Sequence, residues 1–230
     1  MDDNKLKNEV DVDMDQVYNG PQKPVVVILV GLVGSGKSTF AKALETHFPQ
    51  FRRLNQDELK DRRRVERLTL QTLSEGLSVI IDRTNIDQKQ RKTWVDIADQ
   101  FSRVEAWVIT MNTPYEECAA RLRTRTDHPT IKNWATAQVV LKRFSNEFEE
   151  PSPMEGFDKM YDLAPHPTGI WEKKDIAKVL REIESSPSTR IEAPGSSKLS
   201  ELALYVGLPL AVAASAVGVA HHFLGKPRAS

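Results

Sequence analysis

Gly31-Leu32-Val33-Gly34-Ser35-Gly36-Lys37-Ser38 fits the pattern G-x-x-x-x-G-K-[ST] at every fixed position. Its flanks decide how it is read. Val25–Val30 before it is apolar and mostly β-branched, the composition of a buried strand. Thr39-Phe40-Ala41-Lys42-Ala43-Leu44 after it starts a helix. A strand, a glycine turn and a helix N-terminus make a phosphate cradle. Glycines let several backbone N–H groups converge on one anion, and the helix end adds partial positive charge. Gly31, Gly34, Ser35, Gly36, Lys37, Ser38 and Thr39 are therefore the candidate binding residues for ATP. In this pattern the lysine reaches the β/γ-phosphates and the last hydroxyl sits on Mg²⁺, roles that fall to Lys37 and Ser38.

Downstream, strand-like and helix-like segments alternate. Phe51–Leu54 reads as a short strand. Asp57–Ser74 reads as a helix, with Gly76 at its C-cap. Ser78–Asp82 is a buried strand ending in an acid, and Gln88–Phe101 a helix. Val104–Thr110, Tyr115–Arg123, Trp134–Glu149, Phe157–Leu163 and Lys173–Glu184 continue as strand, helix, helix, strand and helix. Such alternation implies right-handed crossovers and a mainly parallel sheet covered on both faces, an α/β three-layer fold of the P-loop type. Ligands then bind beyond the carboxyl ends of the strands. The glycine loop and the segments after Leu54 and Ile81 are thus expected to share one cleft.

Composition bounds the rest. The chain has 230 residues and a formal net charge of zero, so global charge does not mark it as a nucleic-acid binder. Cys118 is the only cysteine, which excludes an intrachain disulfide, and no Cys/His cluster suggests zinc. Residues 1–20 read as an acidic, disordered arm without the features of a secretory signal. The P-loop domain is expected over 21–185, followed by a Ser/Pro/Thr/Gly linker over 186–199. Residues 200–225 read as a candidate transmembrane tail anchor, with a short polar tail at 226–230. Leu202–Ala220 is almost wholly apolar and would span roughly 28 Å as a helix, close to a bilayer's hydrocarbon thickness. The expectation is a membrane contact through 202–224, a domain facing the cytosol and weak tail self-association through the small residues Gly207, Ala211 and Ser215. The alternative is a soluble cytoplasmic or nuclear protein with that helix packed on the domain.

A phosphate cradle serves hydrolases, switches and kinases alike, so the reaction depends on what else enters the cleft. Asp57, after the second strand, can accept a proton from an acceptor hydroxyl or cap a helix; position alone supports both. Asp82 ends an apolar strand, where an acid holds Mg²⁺ directly or through water. Asn55, Thr84, Asn85 and Arg62 are candidate substrate-binding residues, although Thr84 and Asn85 could equally make a local turn. Arg121, Arg123 and Arg125 end a helix and could form a lid that clamps ATP and stabilises transferring phosphoryl charge. The basic residues Arg52, Arg53, Lys60, Arg62, Arg63, Arg64 and Arg67 are interleaved with acids, so a salt-bridged solvent face competes with phosphate binding. Trp94, Trp107, Trp134 and Trp171 read as single core or interface aromatics.

Taken together, Gly31–Thr39, Leu54-Asn55-Gln56-Asp57, Ile81-Asp82-Arg83-Thr84-Asn85 and the arginine run resemble the kinase domain of polynucleotide 5′-hydroxyl kinases. Arg121–Asp127, with Phe148-Glu149-Glu150-Pro151 and Glu155-Gly156-Phe157, resembles in particular the kinase half of the eukaryotic polynucleotide kinase/phosphatases. The resemblance covers about residues 24 to 165. It implies ATP-dependent phosphorylation of a 5′-OH end on DNA or RNA. Asp57 would be general base, Lys37 and Ser38 would serve the phosphates and metal, and a catalytic arginine would lie among Arg121, Arg123 and Arg125. No D-x-D-x-T motif occurs, so a joint 3′-phosphatase activity is not expected. Arg83 stands where relatives carry a smaller or acidic polar residue. The acceptor could then be a sugar or nucleotide derivative, as in zeta-toxin-like and other small-molecule kinases. A reading of a different class is a membrane-attached NTP-dependent switch or adaptor that has no acceptor.

Overall fold

Strand β1 (Val25–Val30) is buried at every residue, and its alternating side chains feed two different cores. In the computed structural model, residues 18–124 and 133–190 are described. After β1 come α1 (Lys37–His47), β2 (Phe51–Asn55), α2 (Gln56–Leu59), α3 (Arg62–Ser74), β3 (Ser78–Asp82) and α4 (Gln88–Ala98). The chain continues with β4 (Glu105–Met111), α5 (Tyr115–Thr124), α6 (Trp134–Asn146), a 3₁₀ turn (Pro153–Glu155), β5 (Lys159–Leu163) and α7 (Lys173–Ser185).

The five strands form one parallel sheet in the order β2-β3-β1-β4-β5, with β1 at its centre. Val25, Val27 and Leu29 pack with Phe40 and Leu44 of α1 and Leu180 and Ile183 of α7. Val26, Ile28 and Val30 pack on the other face with Val65 and Leu73 of α3 and Trp94 and Val95 of α4. This is the period-two division that a central strand with two apolar faces requires. A third cluster joins Val33 of the glycine loop to Cys118 and Leu122 of α5 and Ala137 and Leu141 of α6. The α5–α6 pair is thereby fastened directly to the cradle.

The helix expected over 57–74 is two helices. Asn55 caps the first by accepting from Glu58 N at 3.0 Å, and Asp61 caps the second by accepting from Arg63 N at 3.0 Å. Two short polar side chains each start a helix of their own, and the chain crosses between them through Lys60 at φ 59°. The cap that Asp57 might have supplied is thus taken by Asn55. The folded part also reaches beyond both expected limits. Tyr18, assigned to the acidic arm, donates its hydroxyl to Glu184 at 3.0 Å and packs edge-on against Phe48. Thr189, assigned to the linker, donates through N and Oγ1 to the carbonyls of Asp158 and Phe157 at 3.0 and 2.8 Å. Arg190 pairs with Asp99 and Asp158. Local composition does not disclose that the backbone leading into β5 offers free carbonyls to a returning chain.

Among the described residues no helix is long and apolar enough to cross a membrane. The expected tail at 200–225, residues 1–17 of the acidic arm and Arg125 lie outside the described residues.

Candidate active site

At the carboxyl end of β1 the backbone turns through Gly31, Gly34 and Gly36, at φ 145°, 85° and 101°. The turn also leaves no room for side chains: a methyl on Gly34 would come within 2.8 Å of the Cys118 carbonyl oxygen. Gly36 is the N-cap of α1 and supplies no capping side chain, so the first amides of the helix remain available to an anion. Lys37 folds back over this loop. Its Nζ donates to the carbonyls of Gly31 and Leu32 at 2.8 and 2.7 Å and to Ser35 Oγ at 3.2 Å. Burial pushes the ammonium down to about 8, against the opposing pull of Asp82, Cys118 and Asp57. A polyanion in the cradle would supply the counter-charge that these neutral carbonyls do not. Burial also pushes the Cys118 thiol up to about 11, which keeps it protonated and unreactive.

Asp82, at the end of β3, is buried and fully engaged. Ser38 Oγ donates to its Oδ1 at 3.0 Å, and Asn55 Nδ2 and Arg53 Nε donate to its Oδ2 at 2.8 and 2.7 Å. Arg53 also forks onto Glu58 at 2.9 and 3.2 Å. Burial works against the Arg53 charge, but its bonds to Glu58 and Asp82 and their charges raise its pKa overall. Arg53, expected within a basic stretch that could have been a solvent face, is thus a strut beneath the site. It ties β2, β3 and the start of α2 together. The hydroxyl of Ser38 against the carboxylate of Asp82 is a hard-oxygen pair suited to Mg²⁺ beside phosphate oxygens.

The cleft over this floor has a volume of about 920 Å³, which suits a nucleotide and a small acceptor. Asp57, Asp82, Arg83 and Thr84 line it together with the cradle. Asp57 is exposed in the first turn of α2 and makes no hydrogen bond or ion pair with any described residue, while its neighbour Glu58 is held by Arg53. Arg121 lines the cleft from α5, with Nη1 3.4 Å from the Gly34 carbonyl and Nη2 paired with Glu117. Thr136, Val140, Arg143 and Phe144 of α6 and the loop His166–Trp171 complete the lining.

Some residues expected here do other work. Asn85 is fully buried: its Nδ2 donates to the Leu29 carbonyl at 2.8 Å and its Oδ1 accepts from Trp94 Nε1 at 3.1 Å. It ties β1 to the turn after β3 and to α4, and its amide has nothing left for a substrate. Asn55 lines the cleft, but its amide is divided between the α2 cap and Asp82. Arg62 binds Glu66 at 2.8 Å and Thr93 at 2.6 Å and does not line the cleft. Arg123 lies over the Trp134 ring at 4.7 Å, away from the lining, so Arg121 is the described arginine of the run that enters the site.

Sequence reasoning missed the α6 face and the His166–Trp171 loop. The α6 face carries no motif, because it joins the cleft only through packing of α5 on the cradle. The loop was within reach, since it follows the carboxyl end of a parallel strand, where ligands collect. Trp171, read as a core or interface ring, packs edge-on against Phe40 at 5.1 Å and also lines the cleft.

Residues 62–151 match the model of a family described as an AAA domain. An Arabidopsis thaliana protein named transcription factor bHLH140 is 31% identical over 144 residues, covering 60% of this chain and 16% of that one. The bifunctional polynucleotide phosphatase/kinase of Schizosaccharomyces pombe is 30% identical over 138 residues, covering 60% of this chain and 33% of the relative. The chain therefore spans a third or less of the length of these two relatives. The crystal structure of a fungal RNA kinase superposes with a TM-score of 0.54 at 20% identity, over 78% of this chain and 95% of that one. The resemblance to the kinase half of polynucleotide kinase/phosphatases is shown by these matches, and the fold is that of a P-loop kinase.

Proposed function

We propose that this protein is an ATP-dependent kinase that phosphorylates a hydroxyl acceptor, with a polynucleotide 5′-OH end as the acceptor the resemblance favours. The observation that carries the proposal is a carboxylate, Asp57, unpaired among the described residues, in the same cleft as the phosphate cradle and close enough to act electrostatically on Lys37. An adaptor that only binds nucleotide, without any transfer of its phosphoryl group, has no need of a free base in that cleft.

In this reading the loop amides and Lys37 hold the β- and γ-phosphates. Ser38 and Asp82 would hold Mg²⁺, which supplies charge neutralisation to the phosphates when bound. His166 and Trp171, which line the cleft, would give the base end of ATP an aromatic wall. Asp57 takes the proton of the acceptor hydroxyl as its oxygen bonds to the γ-phosphorus. The bond from that phosphorus to the β,γ-bridging oxygen breaks, and ADP leaves. Arg121, which lines the same cleft, would follow charge on the transferring group. The network Arg53–Asp82–Asn55 holds α2, and hence Asp57, at a fixed place in the cleft.

The test offers γ-labelled ATP and magnesium to the full chain with 5′-OH DNA and RNA oligonucleotides, then with a pool of sugars and nucleotides. Label on an oligonucleotide 5′ end is the expected result. Label on a small metabolite with unlabelled oligonucleotides would move the acceptor to the small-molecule class, and release of free phosphate alone would favour the switch. The apolar stretch at 202–224 supports a second proposal, a membrane anchor with the kinase domain facing the cytosol. Carbonate should then leave the full chain in the membrane pellet and release a version lacking 199–230.

A further inference from the structure

Arg83 lines the cleft beside Asp82 and Thr84, half-buried, and its guanidinium makes no hydrogen bond or ion pair with any described residue. Its Nη1 is sealed from solvent without an acceptor. The other arginines in or beneath this region are served differently: Arg53 holds two carboxylates, and Arg91 holds Glu155 and two carbonyls. Sealing part of a guanidinium from water without an acceptor is costly, because the donors on Nη1 leave water with nothing in return. An apolar side chain of similar length would suit the fold better. Burial and the nearby Arg62 charge both pull the Arg83 pKa down, and the carboxylates of Asp87 and Asp57 oppose them from a distance. The cleft thus presents a carboxylate, Asp57, and a guanidinium close enough to feel it, neither of them answered by a described residue. The carboxylate matches a hydroxyl. The planar fork of arginine matches a phosphate.

We propose that Arg83 binds a phosphate carried by the acceptor itself, next to the hydroxyl that Asp57 deprotonates. The proposal rests on the kinase reading above and narrows its substrate class to acceptors that already bear a phosphate. In a polynucleotide that group is the phosphate on the 3′ side of the terminal nucleoside; in a small molecule it is a phosphate ester near the free hydroxyl.

Calorimetry on the full chain, in the presence of a non-hydrolysable ATP analogue, tests this. The probes are a nucleoside 3′-monophosphate, the same nucleoside without phosphate, and a sugar phosphate. The native chain should bind the nucleoside 3′-monophosphate at least about tenfold more tightly than the nucleoside, the scale of a charge-assisted bidentate contact. Arg83→Gln should erase that difference, Arg83→Lys should keep part of it, and neither should weaken the ATP analogue. The melting temperature of Arg83→Gln should be no lower than native, since no internal partner is lost. Preference for the sugar phosphate would assign the phosphate to a small molecule and leave the role of Arg83 in place. Equal affinity for nucleoside and nucleotide would overturn the proposal. So would discrimination that survives in Arg83→Gln, an effect confined to ATP, or melting temperatures depressed in both variants. If the native chain transfers no label to any acceptor yet discriminates phosphate through Arg83, the kinase reading falls and Arg83 stands as a phosphate site without an acceptor. If label passes equally well to acceptors with and without phosphate, the reverse holds.

Discussion

Arg91 and Arg83 lie close in sequence and in opposite circumstances. Arg91 is completely buried, and every side of its guanidinium is occupied. Nε and Nη2 meet the two oxygens of Glu155 at 2.8 Å each, and Nη1 meets the carbonyls of Asn85 and Glu149 at 3.1 and 2.8 Å. Arg83 is only half-buried, and no described residue answers it. The same contrast runs through the carboxylates: Asp82 accepts from three side chains, whereas Asp57 accepts from none of the described residues. A charge the fold needs is buried with a full set of partners, because leaving it without them would be more costly than the fold could tolerate. A charge on a cleft wall that no described residue answers gains nothing from folding, which makes it the candidate for contact with something that arrives from outside.

The contrast predicts opposite phenotypes on its two sides. Asp57→Asn should lower phosphoryl transfer by about 10²- to 10⁴-fold while ATP binding and the melting temperature hold. Labelled-ATP assays with calorimetry check this, and near-native transfer would remove Asp57 from the mechanism. Arg91→Met should do the converse, costing about 3–5 kcal/mol in urea unfolding because Glu155 is left buried without its partner. A cost under about 1 kcal/mol would mean that full pairing does not mark structural charge here.

Lys37 sits between the two sides, buried like Arg91 but facing the ligand site. Its folded pKa of about 8 lies below the ordinary lysine value of 10.5, so between those values the unfolded chain holds a proton that the folded chain lacks. Stability should therefore rise as pH increases from about 8 toward about 10.5, and the penalty for the buried charge should be fully present below about 8. Denaturant titrations across that window, with Lys37→Met as the flattened control, measure the slope. A triphosphate favours the charged form, so nucleotide binding at about pH 9 should take up protons, visible as a dependence of calorimetric heat on buffer ionisation enthalpy. The smallest expected effect concerns the joint between α2 and α3. Lys60 holds φ 59° with a side chain, so Lys60→Gly should gain up to about 1 kcal/mol in thermal or urea unfolding.

Much of the fold was legible because its signals are local. Val25–Val30, Ser78–Asp82 and the glycine loop declare themselves within short windows, and alternating strands and helices leave few topologies open. The division of the expected 57–74 helix was also written locally, in Asn55 and Asp61, each of which starts a helix of its own. The site was legible only in part. The sequence named the residues that reach the cleft through a motif, such as Lys37, Ser38, Asp57 and Asp82. It could not separate Asn85 from Thr84, since the two share one turn and differ only in which way their side chains face.

From the sequence alone came the cradle, the order of elements and the family likeness. Each depends on residues near one another along the chain, where backbone sterics and hydrophobic period act directly. Tertiary structure alone decided which charges are spent and which stay free. Arg53 meets Asp82 and Glu58, and Arg91 meets Glu155, because the sheet and the turn before β5 bring distant segments within hydrogen-bond range. Whether a charge finds a partner is a property of three-dimensional proximity, and no spacing along the chain encodes it.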